Sequence, residues 1–209
     1  MNYRTLTAKI LIDIKAVNFN FKKPFTLTSG KKSPVYIDCR KLISFPKERN
    51  KILNLAVNYF KKEKINFDIL AGGETAGIPY AAFLSEKLNK PMIYIRKKKK
   101  GFGKGSQIEG NYKKNKKVIL IEDLATDGGS KVVFVDAIRK NNLKIKDTFV
   151  IFYYDIFEKS KINLSNLGIK LHCLCTWKDI LKVLEKNKVL SKKEFEKIKK
   201  YLKELSDNH

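Results

Sequence analysis

The chain has 209 residues with 45 Lys and Arg against 21 Asp and Glu, a formal net charge of +24, and is 43% hydrophobic and 11% aromatic. This apolar content suffices to bury a core, which excludes a disordered basic tail, and the length suits one domain. No apolar run approaches the ~20 residues of a membrane helix, and Asp13 and Lys15 break the start where a signal peptide stays apolar, so a soluble cytoplasmic protein is expected.

Leu6, Ile10 and Ile14 recur at helical spacing and predict an amphipathic helix over 3–17. Phe21–Asp38 reads as two short strands, FTL and VYID, around the turn signal Ser29-Gly30. Pro46 opens a helix that turns Ile52, Leu53, Val57 and Phe60 inward. A short apolar strand over 67–71 precedes Gly72-Gly73-Glu74-Thr75-Ala76-Gly77 and a helix through Leu88, and a strand over 91–95 then leads into a Lys/Gly segment. Lys117–Ile121 is the clearest buried strand, followed by a Gly-bearing loop and a helix over 129–140. Strands over 149–154 and 169–175 and helices over 177–186 and 191–205 complete the chain. Strands alternating with helices predict an α/β fold with a mostly parallel central sheet flanked by helices, without a second domain. Ligands of such sheets bind beyond the carboxyl ends of the strands, here after Ala71, Ile95 and Ile121.

Cys39, Cys173 and Cys175 lack the spacing of a zinc knuckle or a disulfide scaffold and read as buried. Two histidines, His172 and His209, leave no material for multi-His metal centres or His-based triads, and His172 reads as a packed strand residue. Chemistry must rest on carboxylates, hydroxyls, backbone amides and lysines. Glu122-Asp123-Leu-Ala-Thr126-Asp127-Gly128-Gly129-Ser130 supplies them: carboxylates at a strand end can accept the two hydroxyls of a ribose, and a Thr/Gly/Gly/Ser loop entering a helix can cradle a phosphate. GxGxxG and GK[ST] are absent, which excludes dinucleotide-binding and Walker loops. Most of the positive charge is spread along the chain, but Arg96 to Gly105 gathers six cations among three glycines.

These residues resemble the type I phosphoribosyltransferase family, and its orotate branch in particular. The 122–130 string is similar to the family's ribose-phosphate motif, Phe25–Asp38 to the orotate-side segment, Gly72–Pro79 to the diphosphate loop and 96–110 to a mobile catalytic lid. The resemblance spans roughly residues 20–155. It implies a single phosphoribosyltransferase domain over 1–209, with a small N-terminal hood over 1–40. It also implies Mg²⁺, held mainly by diphosphate and ribose hydroxyls, and transfer of ribose 5-phosphate from 5-phosphoribosyl 1-diphosphate to orotate, a step of pyrimidine synthesis. By motif position Glu122 and Asp123 would bind the ribose hydroxyls, Leu124, Ala125, Thr126, Asp127, Gly128, Gly129 and Ser130 the 5-phosphate, and Arg96, Lys97 and Lys100 the diphosphate. Thr28, Tyr36, Thr75 and Ala76 complete the substrate-binding set, with Lys97, Lys100 and Asp123 catalytic. A homodimer whose lid acts in the neighbouring subunit is implied, with no nucleic-acid or membrane partner. The family's lid histidine falls on Phe102, its N-terminal lysine on Thr28 and its diphosphate-loop lysine on Ala76, and its orotate arginine has no counterpart in 153–157. A phosphoribosyltransferase of another base, or a non-enzymatic regulator that senses phosphoribosyl diphosphate and binds nucleic acid, stays open at this level.

Overall fold

A computed structural model describes residues 2–26, 30, 32–99, 106–126 and 129–207, without the Ser130 side chain. α1 (Tyr3–Asp13) is N-capped by Asn2, whose side chain accepts from the Thr5 N–H at 2.8 Å. It ends sooner than its periodicity predicts, because the chain turns at Lys15 (φ 55) and Val17 enters β1 (Val17–Phe19). The two strands read from the next segment do not pair with each other. β2 (Phe25–Thr26) pairs with β3 (Lys32–Ser33), while β4 (Val35–Ile37) pairs with β1. Pro34 separates β3 from β4 and has no N–H with which to continue the first ladder.

A 3-10 turn (Cys39–Ser44) leads to α2 (Pro46–Lys62), opened by Pro46 as predicted. The remaining elements are β5 (Ile69–Gly73), α3 (Gly77–Leu88), β6 (Met92–Ile95), β7 (Ile108–Glu109), β8 (Lys117–Ala125), α4 (Gly129–Lys140), β9 (Lys144–Tyr153), α5 (Glu158–Asn166), β10 (Lys170–Thr176), α6 (Trp177–Lys186) and α7 (Lys192–Asp207). The main sheet runs β10-β9-β8-β5-β6-β7 and is parallel except for β7, confirming the mostly parallel α/β architecture. β8 continues four residues beyond Ile121 and carries both carboxylates inside the strand.

Alternation along the strands feeds two apolar layers. Ile119 and Ile121 of β8 join Leu70, Phe149 and Ile151 under α1, α2, α3 and α6, while Val118 and Leu120 join Ile69 and Ala71 under Phe134 and Ile138 of α4 and Leu164 of α5. Trp177 is buried, edge-on to Phe152 with centroids 5.5 Å apart. One irregularity breaks the β8–β9 ladder: Val118 faces Ile145 but Ile119 faces Asp147, so Lys146 is an extra residue in β9. His172 is a packed residue as expected, its Nε2 2.7 Å from Asp147 Oδ1 and its Nδ1 3.1 Å from the Tyr59 hydroxyl. All three cysteines are buried and unpaired, and burial pushes the Cys173 thiol up to about 11. No helix among the described residues is long and apolar enough to cross a membrane.

Candidate active site

The sheet changes its winding direction between β5 and β8. β5 proceeds through α3 to β6 on one side, and β8 proceeds through α4 to β9 on the other, which opens a crevice beyond their carboxyl ends. Two helices start at this crevice: α3 after the Glu74–Ala76 turn, with no side-chain cap, and α4 at Gly129. Their first backbone amides are suited to anions. Close packing beneath the turn depends on glycine, since a Cβ on Gly77 would overlap the Ile121 carbonyl and one on Gly72 would stand 2.8 Å from the Ile78 Cα. Gly77→Ala is therefore expected to destabilise the fold by about 3 kcal/mol, read by urea unfolding. Thr75 and Ala76 lie in the turn itself, and the Thr75 carbonyl accepts from the Ile78 N–H at 3.3 Å.

Glu122 and Asp123 leave β8 on opposite faces. Glu122 shares the side of Val118 and Leu120 and is ion-paired with Lys131, on the first turn of α4. Lys131 is only 2% exposed and also donates to the Leu124 carbonyl at 3.3 Å. Asp123 shares the side of Ile119 and Ile121, toward the 3-10 turn. Burial holds its carboxyl above the usual range, with the neighbouring Glu122 charge adding to this and the Leu124 N–H opposing it. Leu124, Ala125 and Thr126 follow, and the Ala125 carbonyl accepts from the Tyr154 N–H at 3.0 Å.

Beyond β6, Arg96 and Gln107 clasp each other. The Arg96 N–H donates to the Gln107 carbonyl at 2.9 Å, and the Gln107 side chain donates to the Arg96 carbonyl at 3.0 Å. Glu74 ties this stem to the β5–α3 turn: its N–H donates to the Ile95 carbonyl at 2.9 Å, and its carboxylate accepts from the Lys97 N–H at 2.7 Å. The Arg96 Nε is buried without a hydrogen-bond partner among the described residues. In β4 Tyr36 packs against Phe25, with centroids 5.6 Å apart, and its hydroxyl accepts from Arg40 at 2.9 Å.

Asp123, the entry to α4, the Glu74–Ala76 turn and the Arg96–Lys97 stem thus lie at one end of the sheet. Thr28, Lys100, Phe102, Asp127 and Gly128 lie outside the described residues. Lys131, Glu74 and Arg40 had no place in the sequence-derived set. Lys131 did leave a trace, because a lysine in the first turn of a helix opposes the helix dipole and needs a local anion.

A crevice of this construction, on this topology, defines a phosphoribosyltransferase fold. A family model described as "Phosphoribosyl transferase domain" matches residues 44–161. An orotate phosphoribosyltransferase of a Ruegeria species is 48% identical over 201 residues, covering 95% of this chain and 89% of the relative. Among solved structures, the orotate phosphoribosyltransferase of Aeropyrum pernix aligns with a TM-score of 0.72 at 30% identity, over 86% of this chain and 99% of that one. Leishmania donovani UMP synthase aligns with a TM-score of 0.80 at 29% identity, over 95% of this chain and 42% of that longer one. The chain belongs to the phosphoribosyltransferase family and, within it, to the orotate phosphoribosyltransferases. A regulator without enzymatic activity is accordingly set aside.

Proposed function

We propose that the chain catalyses transfer of ribose 5-phosphate from phosphoribosyl diphosphate to orotate, giving orotidine 5′-monophosphate and diphosphate. N1 of orotate supplies the electron pair for the new bond to the anomeric carbon, and diphosphate leaves with the pair of the broken C–O bond. The observation that carries this reading is the convergence of Asp123 and two helix N-termini on the β5–β8 crevice. Asp123 and Glu122 accept the ribose hydroxyls from the two faces of β8, and the residues from Leu124 to Ser130 hold the 5-phosphate. Thr75, Ala76, Arg96, Lys97 and Lys100 meet the diphosphate. Tyr36 faces the base, with Thr126 beside it, and Thr28 completes the substrate-binding set.

Positive charge at the leaving group stabilises the transition state more than the ground state, because charge builds on diphosphate as the bond breaks. Among the described residues no three His, Cys, Asp or Glu side chains gather as a metal cage. Mg²⁺ commonly binds through one or two carboxylates together with substrate phosphates, and the residues here fit that mode, with Asp123 as the protein carboxylate. When bound, Mg²⁺ supplies charge neutralisation at the diphosphate. The proposed working unit is a cytoplasmic homodimer in which lid lysines reach the neighbouring site, in keeping with the exposed side chains of Lys97, Lys98 and Lys99.

The test is a steady-state assay across orotate, uracil, adenine and hypoxanthine, with diphosphate release as the readout. Orotate alone is expected to be used. Lys97→Ala and Lys100→Ala are each expected to lower turnover about 100-fold, whereas Lys199→Ala, on the exposed face of α7, leaves it unchanged. Turnover of another base instead of orotate, or equal effects from all three variants, would refute the assignment.

A further inference from the structure

We infer that Arg40 is the residue that recognises the carboxylate of the pyrimidine substrate, an inference that rests on orotate being the base. Orotate differs from uracil by one ring carboxylate. A site that selects it needs a cation presenting paired N–H donors to a planar anion, which suits arginine better than lysine.

The crevice has such a group on the correct side. Asp123, proposed to hold the ribose, projects toward the 3-10 turn, which packs against β8, and Arg40 is the second residue of that turn. Its guanidinium is fixed from two directions, by the Asp38 carboxylate 3.0 Å from Nε and by the Tyr36 hydroxyl 2.9 Å from one terminal nitrogen. The other terminal nitrogen has no partner among the described residues, and the side chain is 55% exposed. Holding Arg40 in place before substrate arrives removes part of the ordering cost of binding. Its neighbour Lys41 turns away and donates to the Lys15 carbonyl at 3.1 Å, and Lys32 is directed to Thr26. The Tyr36 ring stands beside Arg40, and Tyr154 follows β9 where its N–H meets the Ala125 carbonyl at the end of β8. A flat pyrimidine lying against these rings, with its ribosyl nitrogen toward Asp123, would present its carboxylate to the open edge of Arg40.

The experiment compares wild type, Arg40→Lys and Arg40→Ala in steady-state assays with both substrates varied. Arg40→Ala is expected to raise the KM for orotate roughly 10- to 100-fold, the range for loss of a hydrogen bond to a charged group, with the KM for phosphoribosyl diphosphate within about twofold of wild type. Arg40→Lys, which keeps charge but loses the fork, is expected to fall between them. Uracil, as a competitive inhibitor, should bind all three equally. An unchanged orotate KM in Arg40→Ala overturns the inference, as does a parallel rise of both KM values with a lowered melting temperature, which would mark a structural role. A wild type that uses no orotate overturns the functional reading, and this inference with it. A wild type that uses orotate beside an unaffected Arg40→Ala overturns this inference alone.

Discussion

Lys131→Met is expected to lower the unfolding free energy by about 3–5 kcal/mol, because it leaves the Glu122 carboxylate buried and unpaired. The Met fills a similar volume, so the loss isolates the charge from the packing. Adding Glu122→Gln to Lys131→Met should return most of the stability, since a neutral amide costs far less to bury than an isolated charge. The double variant should nevertheless keep a raised KM for phosphoribosyl diphosphate, as the ion pair also fixes the carboxylate beside the ribose. Urea unfolding and steady-state kinetics on the two variants check both halves. Unchanged stability in Lys131→Met would mean that the pair contributes little to the fold.

Asp123→Asn should act in opposite directions on activity and stability. Turnover per unit of phosphoribosyl diphosphate, kcat/KM, is expected to fall about 100- to 1000-fold through loss of a charged acceptor at the reacting sugar. The melting temperature at pH 7 is expected to rise. Burial raises the Asp123 carboxyl, so its stabilising form in the folded protein is the protonated one. That contribution is full below the ordinary Asp value of ~3.9 and is lost as pH climbs through the raised folded value. Wild type therefore bears the cost of a buried charge at neutral pH, and the Asn variant does not. Calorimetric scans should show the difference shrinking as both proteins are acidified, and a lower melting temperature for Asp123→Asn at pH 7 would contradict the account. A functional carboxylate held at a cost in stability is common in enzymes.

Much of this architecture is legible in the residues. The apolar run at Val118–Ile121, Pro46 ahead of α2 and the glycines before α3 and α4 each carry a local physical signal, and each marks its element. The end of β8 was hidden because Glu122 and Asp123 look like a solvated strand terminus, whereas packing against Lys131 and the 3-10 turn keeps them in the ladder. α5 was not expected at all: of its nine residues only Ser160 and Leu164 are buried, too few to produce a helical period. The pairing of β4 with β1 is a long-range choice that local turn signals cannot report. Within the candidate site, motif positions single out the carboxylates and the loops that the fold brings to one end of the sheet. They did not reveal Lys131 or Glu74, whose roles depend on chain segments brought together only by the sheet.

The extra residue Lys146 gives the site a dependence on parity. A pleated strand sends successive side chains to opposite faces, so chain length counted from a fixed pairing decides which side each residue occupies. Deleting Lys146 while keeping the Val118–Ile145 pairing would move Thr148 and Val150 onto the face now held by Phe149 and Ile151. Tyr153, the last residue of the same strand, and Tyr154 just beyond it would exchange sides. The aromatic surface beside the crevice is therefore specified partly by a count of peptide units at the opposite end of β9, and a one-residue change in length there would rearrange it without altering any residue that touches substrate.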